Sequence, residues 1–494
     1  MVNKKQIKEV KELLKTNNQL SGALFSACTF GNAFTDEEIF IGAGDGRRNE
    51  KISKDMYWRD ASMTKLLGLL ILGASLEDDI INSIDDKVSK YIPEFSTINS
   101  YVSGSTPVLD NGKQTFDKYG TPRYTQIITT ESGLGDKITV KMLLKYSSGL
   151  GYTFWGLGNT RNTVNAYAGT KTGQNYIAWL QNIENTNGSA DNGTSYYFNK
   201  QVTFTESILE RLKYPLLSYP GINNIYDTGL NALGGVIGGG LKLKGIHKNS
   251  AEYCNERIFE PMGITKFWLS CGSLKPPCDA KKKLTDAYFV RKNNIDGQAG
   301  PDVQLNTMYR VFDKQAEGDG FVSQAKNQFL RKKNKNAYVT DPLAGGFASS
   351  GCGTLHDFCL FLQLLINKGV NKSNSKRILT EQTINWLLSN KYVLGEQMTI
   401  FGPGTFNLLG TNQNWTYGCA SFIENSSNVP YPSSSFTYQW GGYYGTTFYF
   451  DINTGNYMVS GTQVSSASWY LPTVPTTATY QPNGGLLWKI LASS

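Results

Sequence analysis

The chain has 494 residues, 40% of them hydrophobic and 18% charged, with a formal net charge of +8. That length can bury a large core and exceeds the usual size of one domain. The composition is that of an ordinary globular protein, and seven cysteines, few and odd in number, argue against a disulfide framework.

In chain order, residues 1–20 read as a charged amphipathic helix (Ile7, Val10, Leu13, Leu14) with no apolar signal stretch. The chain as written is therefore expected to be intracellular. Strands are expected over Ala23–Thr29 and Glu38–Gly42, joined by a turn at Gly31-Asn32. An almost unbroken apolar helix follows from Ala61 to Leu72, too short for the roughly 20 residues of a membrane span. Glu77 to Tyr91 reads as a polar turn and a short amphipathic segment ending at Pro93.

Between about 96 and 340, loops alternate with helices. The Gly-, Asn-, Ser- and Thr-rich stretches 101–136, 156–173 and 185–196 read as surface insertions or lids. Helices are expected at Val140–Tyr146, Tyr176–Asn182, Glu206–Lys213, Leu230–Gly238 and Ser250–Phe259. Cys271 and Cys278 flank a Pro-Pro loop, where they could pair, bind a metal or simply line the loop. Leu355–Lys368 is strongly apolar and helical, with Thr354 as its cap, Asp357 in its first turn, and Cys352 and Cys359 as core residues of that helix. Aromatic and β-branched strands then follow at Thr437–Trp440, Thr446–Asp451 and Tyr457–Gly461, with a last helix at Leu486–Ala492.

Strands at both ends around a helical middle imply an α+β fold of the α/β sandwich type. An antiparallel sheet flanked by helices is built from both chain ends, with a largely helical second lobe inserted between them. The expected division is 1–95 with 400–494 for the sheet domain and 96–399 for the lobe.

Chemistry concentrates at Ser62 and Lys65. Positions i and i+3 share a helix face, so hydroxyl and amine would stand side by side at a helix start. Unpaired first-turn N–H groups and the helix dipole favour negative charge there. A lysine desolvated against Leu and Ile holds its proton less tightly and can activate a serine. The usual alternative is missing. There are only two histidines; His247 lies in a charged loop and His356 at a helix start. No Gly-x-Ser-x-Gly elbow and no zinc-type histidine array exist, so neither a Ser-His-Asp triad nor a metal is expected. The basic clusters Lys281–Lys283 and Arg331–Lys333 lack interleaved stacking aromatics, so no nucleic-acid partner is expected.

Ser-x-x-Lys alone is weak, for it recurs at Ser323–Lys326 and Ser373–Lys376 without an apolar helix behind it. The ordered set is specific. Tyr57-Trp58-Arg59-Asp60-Ala61-Ser62-Met63-Thr64-Lys65 resembles the nucleophile segment of the serine β-lactamase and penicillin-binding protein superfamily. The class C β-lactamase and esterase-like branch is the nearest. The segments Asp85–Phe95, Ile138–Leu150, Arg257–Ile264 and Gly345–Asp357 are similar to later landmarks of that branch. Tyr226-Asp227-Thr228-Gly229 precedes Leu233-Gly234 at the spacing of the esterase-like members, and Trp440-Gly441-Gly442 resembles the strand that closes the site.

The resemblance implies acyl transfer without a cofactor. Ser62 would be the nucleophile, and Lys65 with Tyr226 would relay its proton, either of them being the formal base. The backbone N–H groups of Ser62 and Tyr443 would form the oxyanion hole, and Trp440, Gly441 and Gly442 would line the substrate. Members that bind β-lactams or D-peptides commonly carry Lys or His where Trp440 stands. A small neutral ester or amide is therefore the expected partner, and a carboxylesterase is expected ahead of a true β-lactamase. A penicillin-binding or D-peptidase activity and a non-catalytic scaffold are the further alternatives. Tyr438, Trp440, Tyr443 and Tyr444 would suit an apolar acyl or aryl group. The oligomeric state is not legible in the sequence.

Overall fold

The computed structural model describes residues 2–21, 25–47, 50–107, 109–115, 124–150, 209, 212, 215–224, 229–269, 276–286, 288–291, 307–310, 346–348, 350–389, 413–422, 436–442, 445–463 and 484–492. The first helix, α1 (Lys4–Ser21), leads into strands β1 (Phe25–Asn32), β2 (Glu37–Arg47), β3 (Glu50–Lys51) and β4 (Trp58–Arg59). A 3₁₀ turn (Ala61–Thr64) then opens the central helix α2 (Lys65–Glu77). Further along lie α3 (Gly229–Leu243), β5 (Phe267–Leu269), β6 (Gly351–Gly353), α4 (Leu355–Ile366) and α5 (Glu381–Ser389). The last elements are β7 (Gln413–Trp415), β8 (Ala420–Phe422), β9 (Thr437–Gly442), β10 (Thr446–Asp451), β11 (Asn456–Gly461) and α6 (Gly484–Ala492).

The main sheet has eight strands in the order β7-β8-β9-β10-β11-β1-β2-β3, and its pairings are antiparallel. The two chain ends meet where Thr29 pairs with Val459. Period-two alternation sends side chains to both faces, and in the central strands β9, β10 and β11 both faces are buried. Cys28, Phe30, Ile41, Tyr449 and Met458 pack beneath Val10 and Leu14 of α1 and Leu487, Trp488 and Leu491 of α6. Trp488 stacks on Tyr449 with ring centroids 5.6 Å apart. On the other face Ala27, Phe448, Phe450 and Val459 join the large core that includes α2, α3 and α4. Every residue of α2 from Lys65 to Ser75 is buried, as its all-round apolar sequence requires. A separate three-stranded sheet, ordered β4-β6-β5, braces the chain just before the Ser62 turn.

Three local expectations are corrected. Gly31 and Asn32 pair with Glu38 and Glu37 inside the hairpin, and the turn occupies residues 33–36. The Asn32 Oδ1 accepts from Phe34 N at 2.9 Å, so this side chain closes the turn that follows it. Glycine at 31 has a different cause: a Cβ there would collide with the Tyr457 hydroxyl of the neighbouring strand. The 101–136 stretch is not loop throughout, for Ser100–Pro107 pairs antiparallel with Tyr124–Thr130. The β-branched residues of Tyr124–Thr130 suit a strand. Cys352 lies on β6 rather than sharing a helix with Cys359, although both are buried.

The Thr354 cap stands, with its side chain accepting from Asp357 N at 3.0 Å. The expected helix Tyr176–Asn182, the loops 156–173 and 185–196, Cys271 and Arg331–Lys333 lie outside the described residues, as does Glu206–Lys213 except for positions 209 and 212. Among the described residues no helix is long and apolar enough to cross a membrane.

Candidate active site

Ser62 lies on the 3₁₀ turn Ala61–Thr64, and Lys65 begins α2. Side chains at i and i+3 eclipse on a 3₁₀ helix, which aligns the pair more closely than an α-turn would. Lys65 Nζ donates to Ser62 Oγ at 3.1 Å and to the Ala348 carbonyl at 2.7 Å. The lysine is fully buried, whereas Ser62 is partly exposed. A partly exposed hydroxyl over a buried amine is the arrangement an activated serine needs.

Several segments hold the turn. Thr64 Oγ1 donates to the Ala61 carbonyl at 2.6 Å and accepts from Gly351 N at 2.8 Å. Asp60 N donates to Gly351 O at 2.9 Å, which continues the β4-β6 ladder up to the turn. From the main sheet, Thr446 Oγ1 donates to the Asp60 carbonyl at 3.1 Å. Gly442 at the end of β9 has to be glycine, because a Cβ would collide with that carbonyl and with the Thr446 hydroxyl. Ala61 is held at φ +45°, a left-handed conformation that costs a non-glycine residue about 1–3 kcal/mol. Strain of this kind persists only where surrounding bonds enforce it.

Behind the turn, Arg59 is buried. Its Nη1 donates to the Thr285 carbonyl at 2.8 Å. Gln463 brackets the Arg59 backbone, accepting from its N–H at 3.0 Å and donating to its carbonyl at 3.0 Å. Asp60 is buried as deeply, and its Oδ2 has no hydrogen-bond partner among the described residues. Burial pushes this carboxyl well above the usual carboxylate range.

The expected residues fare differently. Ser62 and Lys65 are brought together; Gly441 and Gly442 lie at the β9 end, against the same turn. Trp440 is largely buried, edge-on to Trp415 at 4.7 Å, and Trp415 continues to Tyr146 at 5.2 Å. Tyr438 shares that face but belongs to the core. It stacks on Phe450 at 5.0 Å and its hydroxyl donates to Leu388 O at 3.1 Å, so it is not an acyl-group contact. Tyr226, Tyr443 and Tyr444 lie outside the described residues.

The other Ser-x-x-Lys sites separate cleanly. Ser323–Lys326 is outside the described residues. Ser373 hydrogen-bonds Asn371 at 2.9 Å in a surface hairpin, and Lys376 is exposed. Among the described residues no cluster of His, Cys, Asp and Glu could hold a metal ion. Sequence reasoning missed the Ala348 carbonyl, Thr64, Thr446 and Gln463. Backbone acceptors and hydroxyls distant in the chain leave no motif, although Gly345–Asp357 was already a landmark without a role.

A model of the Beta-lactamase family matches residues 29–466, and the chain belongs to that family. Among solved structures, EstCE1, a hydrolase with promiscuous acyltransferase activity, matches with a TM-score of 0.58 at 15% identity, over 99% of this chain and 98% of its own. A penicillin-binding protein homolog from Caulobacter crescentus gives 0.57 at 13% identity, over 100% and 98%. A family VIII carboxylesterase gives 0.53 at 13% identity, over 93% and 92%. Identities of this size carry the fold alone. No curated protein matches the chain.

Proposed function

We propose that the chain is a serine hydrolase working through an acyl-enzyme, with a small neutral carboxylic ester as its first substrate class. The observation that carries this is the buried Lys65 amine 3.1 Å from the hydroxyl of the partly exposed Ser62. In acylation, Ser62 Oγ bonds the ester carbonyl carbon, and the C=O π pair moves onto oxygen. The Ser62 proton passes to Lys65 or to Tyr226 and leaves with the departing alkoxide. Water then repeats the cycle and releases the acid. Ser62 and Tyr443 N–H groups hold the oxyanion, and Trp440, Gly441 and Gly442 border the substrate. Trp440 offers no cation for a carboxylate, which supports esters over β-lactams. The likeness to a named carboxylesterase and to a hydrolase with acyltransferase activity points the same way.

Initial rates on p-nitrophenyl acetate and on a chromogenic cephalosporin, with adduct mass at Ser62, test the reading. A faster ester and an acetyl adduct on Ser62 are expected. A much faster cephalosporin would replace the ester assignment with β-lactam hydrolysis, and turnover surviving Ser62→Ala would end the acyl-enzyme reading altogether.

A further inference from the structure

The carbonyl that grips Lys65 is itself held from another helix. Ala348 O accepts from Lys65 Nζ at 2.7 Å, while Ala348 N donates to Asn231 Oδ1 at 2.9 Å. Asn231 lies on α3, and between Gly229 and Leu241 every other residue is Gly, Ala, Leu, Val or Ile. Those other residues are buried. Asn231 is itself only partly buried, and its amide oxygen bonds a backbone N–H that belongs to a segment far along the chain. Gly68, three residues beyond Lys65 on α2, lets the three parts close up. A Cβ there would stand 3.3 Å from Leu230 Cδ2 and 3.4 Å from Phe347 Cβ.

We propose that Asn231 is a positioning residue for the reaction at Ser62. By pinning Ala348, it fixes the direction of the carbonyl that anchors one Lys65 N–H. A terminal amine rotates freely about its last bond. With one N–H anchored, the remaining positions are aimed, and one of them meets Ser62 Oγ at 3.1 Å. The inference rests on Ser62 as nucleophile and Lys65 as its proton partner. It adds a residue that has no part in the Ser-x-x-Lys, tyrosine or Trp-Gly-Gly elements, and acts through geometry instead of touching substrate. Misplacement by about 1 Å at such a site costs on the order of 10²-fold in rate.

The test compares Asn231→Leu, which keeps volume but removes the acceptor, with Asn231→Asp, which keeps it. Turnover of p-nitrophenyl acetate and the rate of Ser62 labelling by a fluorophosphonate are read by absorbance and intact mass. For the leucine variant, kcat and labelling rate are expected to fall about 10- to 100-fold with KM within about twofold. The aspartate variant is expected to recover most of that loss. In a Lys65→Ala background, Asn231→Leu should slow labelling no further, because the two act through one contact.

Wild-type labelling in Asn231→Leu, equal slowing with and without Lys65, or an aspartate variant as slow as the leucine would each overturn the proposal. If the leucine variant does not fold, Asn231→Ser withdraws the acceptor with less disruption, and the same outcomes decide. Ser62→Ala separates this inference from its premise. An inactive Ser62→Ala beside a fully active Asn231→Leu removes only the positioning role, whereas an active Ser62→Ala removes the nucleophile reading with it.

Discussion

The clusters at Ser62 and at Tyr457 each link a hydroxyl to a basic nitrogen, and they are built for opposite ends. At the first, Ser62 Oγ meets Lys65 Nζ, which also donates to the neutral carbonyl of Ala348. At the second, Tyr457 Oη donates to Glu38 Oε2 at 3.1 Å, and Glu38 Oε1 meets His356 Nδ1 at 2.6 Å. The second cluster looks the more catalytic on composition, since it holds a histidine and a carboxylate. Its hydroxyl, however, belongs to a buried tyrosine that also accepts from Gln363 Nε2 at 2.7 Å. Burial raises that phenol beyond any working range, and the Glu38 carboxylate raises the His356 pKa. Every group there is tied to another, so the cluster fastens α4 to the sheet. At Ser62 the serine is partly exposed and the backbone beside it is strained at Ala61. That exposure and that strain distinguish this cluster from the structural one.

The largest test of that contrast sets Ser62→Ala against Tyr457→Phe. Ester turnover is expected to fall by roughly 10³-fold or more in the first, as for other nucleophile deletions, and to stay within about twofold in the second. Comparable losses in both would erase the distinction. Lys65→Arg keeps a cation but not a proton acceptor, since a guanidinium does not release its proton. A loss of about 10²- to 10⁴-fold in kcat is expected, the usual scale for a general base. Retained activity would mean that Lys65 serves only as a charge.

Asp60 probes what burial costs beside the Ser62 turn. Its folded pKa lies above the unfolded value, so the native state binds this proton more tightly. Stability from this group is therefore greatest below the unfolded pKa and declines as pH rises toward the folded one. Asp60→Asn is expected to be more stable than the parent at pH 8 by about 1–3 kcal/mol, the scale of an unsatisfied buried polar group. The difference should close near pH 4, and equal melting temperatures at pH 8 would show that this carboxylate is compensated.

The smallest effect belongs to the latch. The raised His356 pKa gives stability that is full below the unfolded value, about 6.5, and lost as pH rises through the folded one. Glu38→Gln should lower the melting temperature more at pH 5.5 than at pH 8.5, modestly, because the imidazole is half exposed. A larger loss at the alkaline end would reverse the assigned charge state.

Much of this was legible in the residues. The apolar run behind Ser62 specified a buried helix, and the aromatic and β-branched run Thr446–Asp451 specified a strand. The Ser-x-x-Lys spacing needed only local geometry, three residues on one turn, so it could be read without a fold. Tyr438 shows where such reading stops. Its place beside Trp440 in sequence suggested a substrate contact, but its ring stacks on Phe450 in the core, where Leu388 takes its hydroxyl. Sequence patterns report a side chain's own periodicity and do not report what stands opposite. The Asn32 turn slipped for the same reason, because the crowding at Gly31 comes from Tyr457, 426 positions away in the chain.

By itself, then, the sequence determined that Ser62 and Lys65 stand side by side, the fold class and the strands at each end, since all of these follow from short-range spacing and burial pattern. Only the tertiary structure decided which distant groups hold that pair in place. Ala348 bonds Lys65, Gly351 bonds Thr64 and Thr446 bonds Asp60 across hundreds of residues, while Asn231 holds Ala348 and Gln463 holds Arg59 behind them. Backbone carbonyls and N–H groups are the same at every position of a chain. Which of them becomes an anchor is fixed only when packing brings it within 3 Å of its partner.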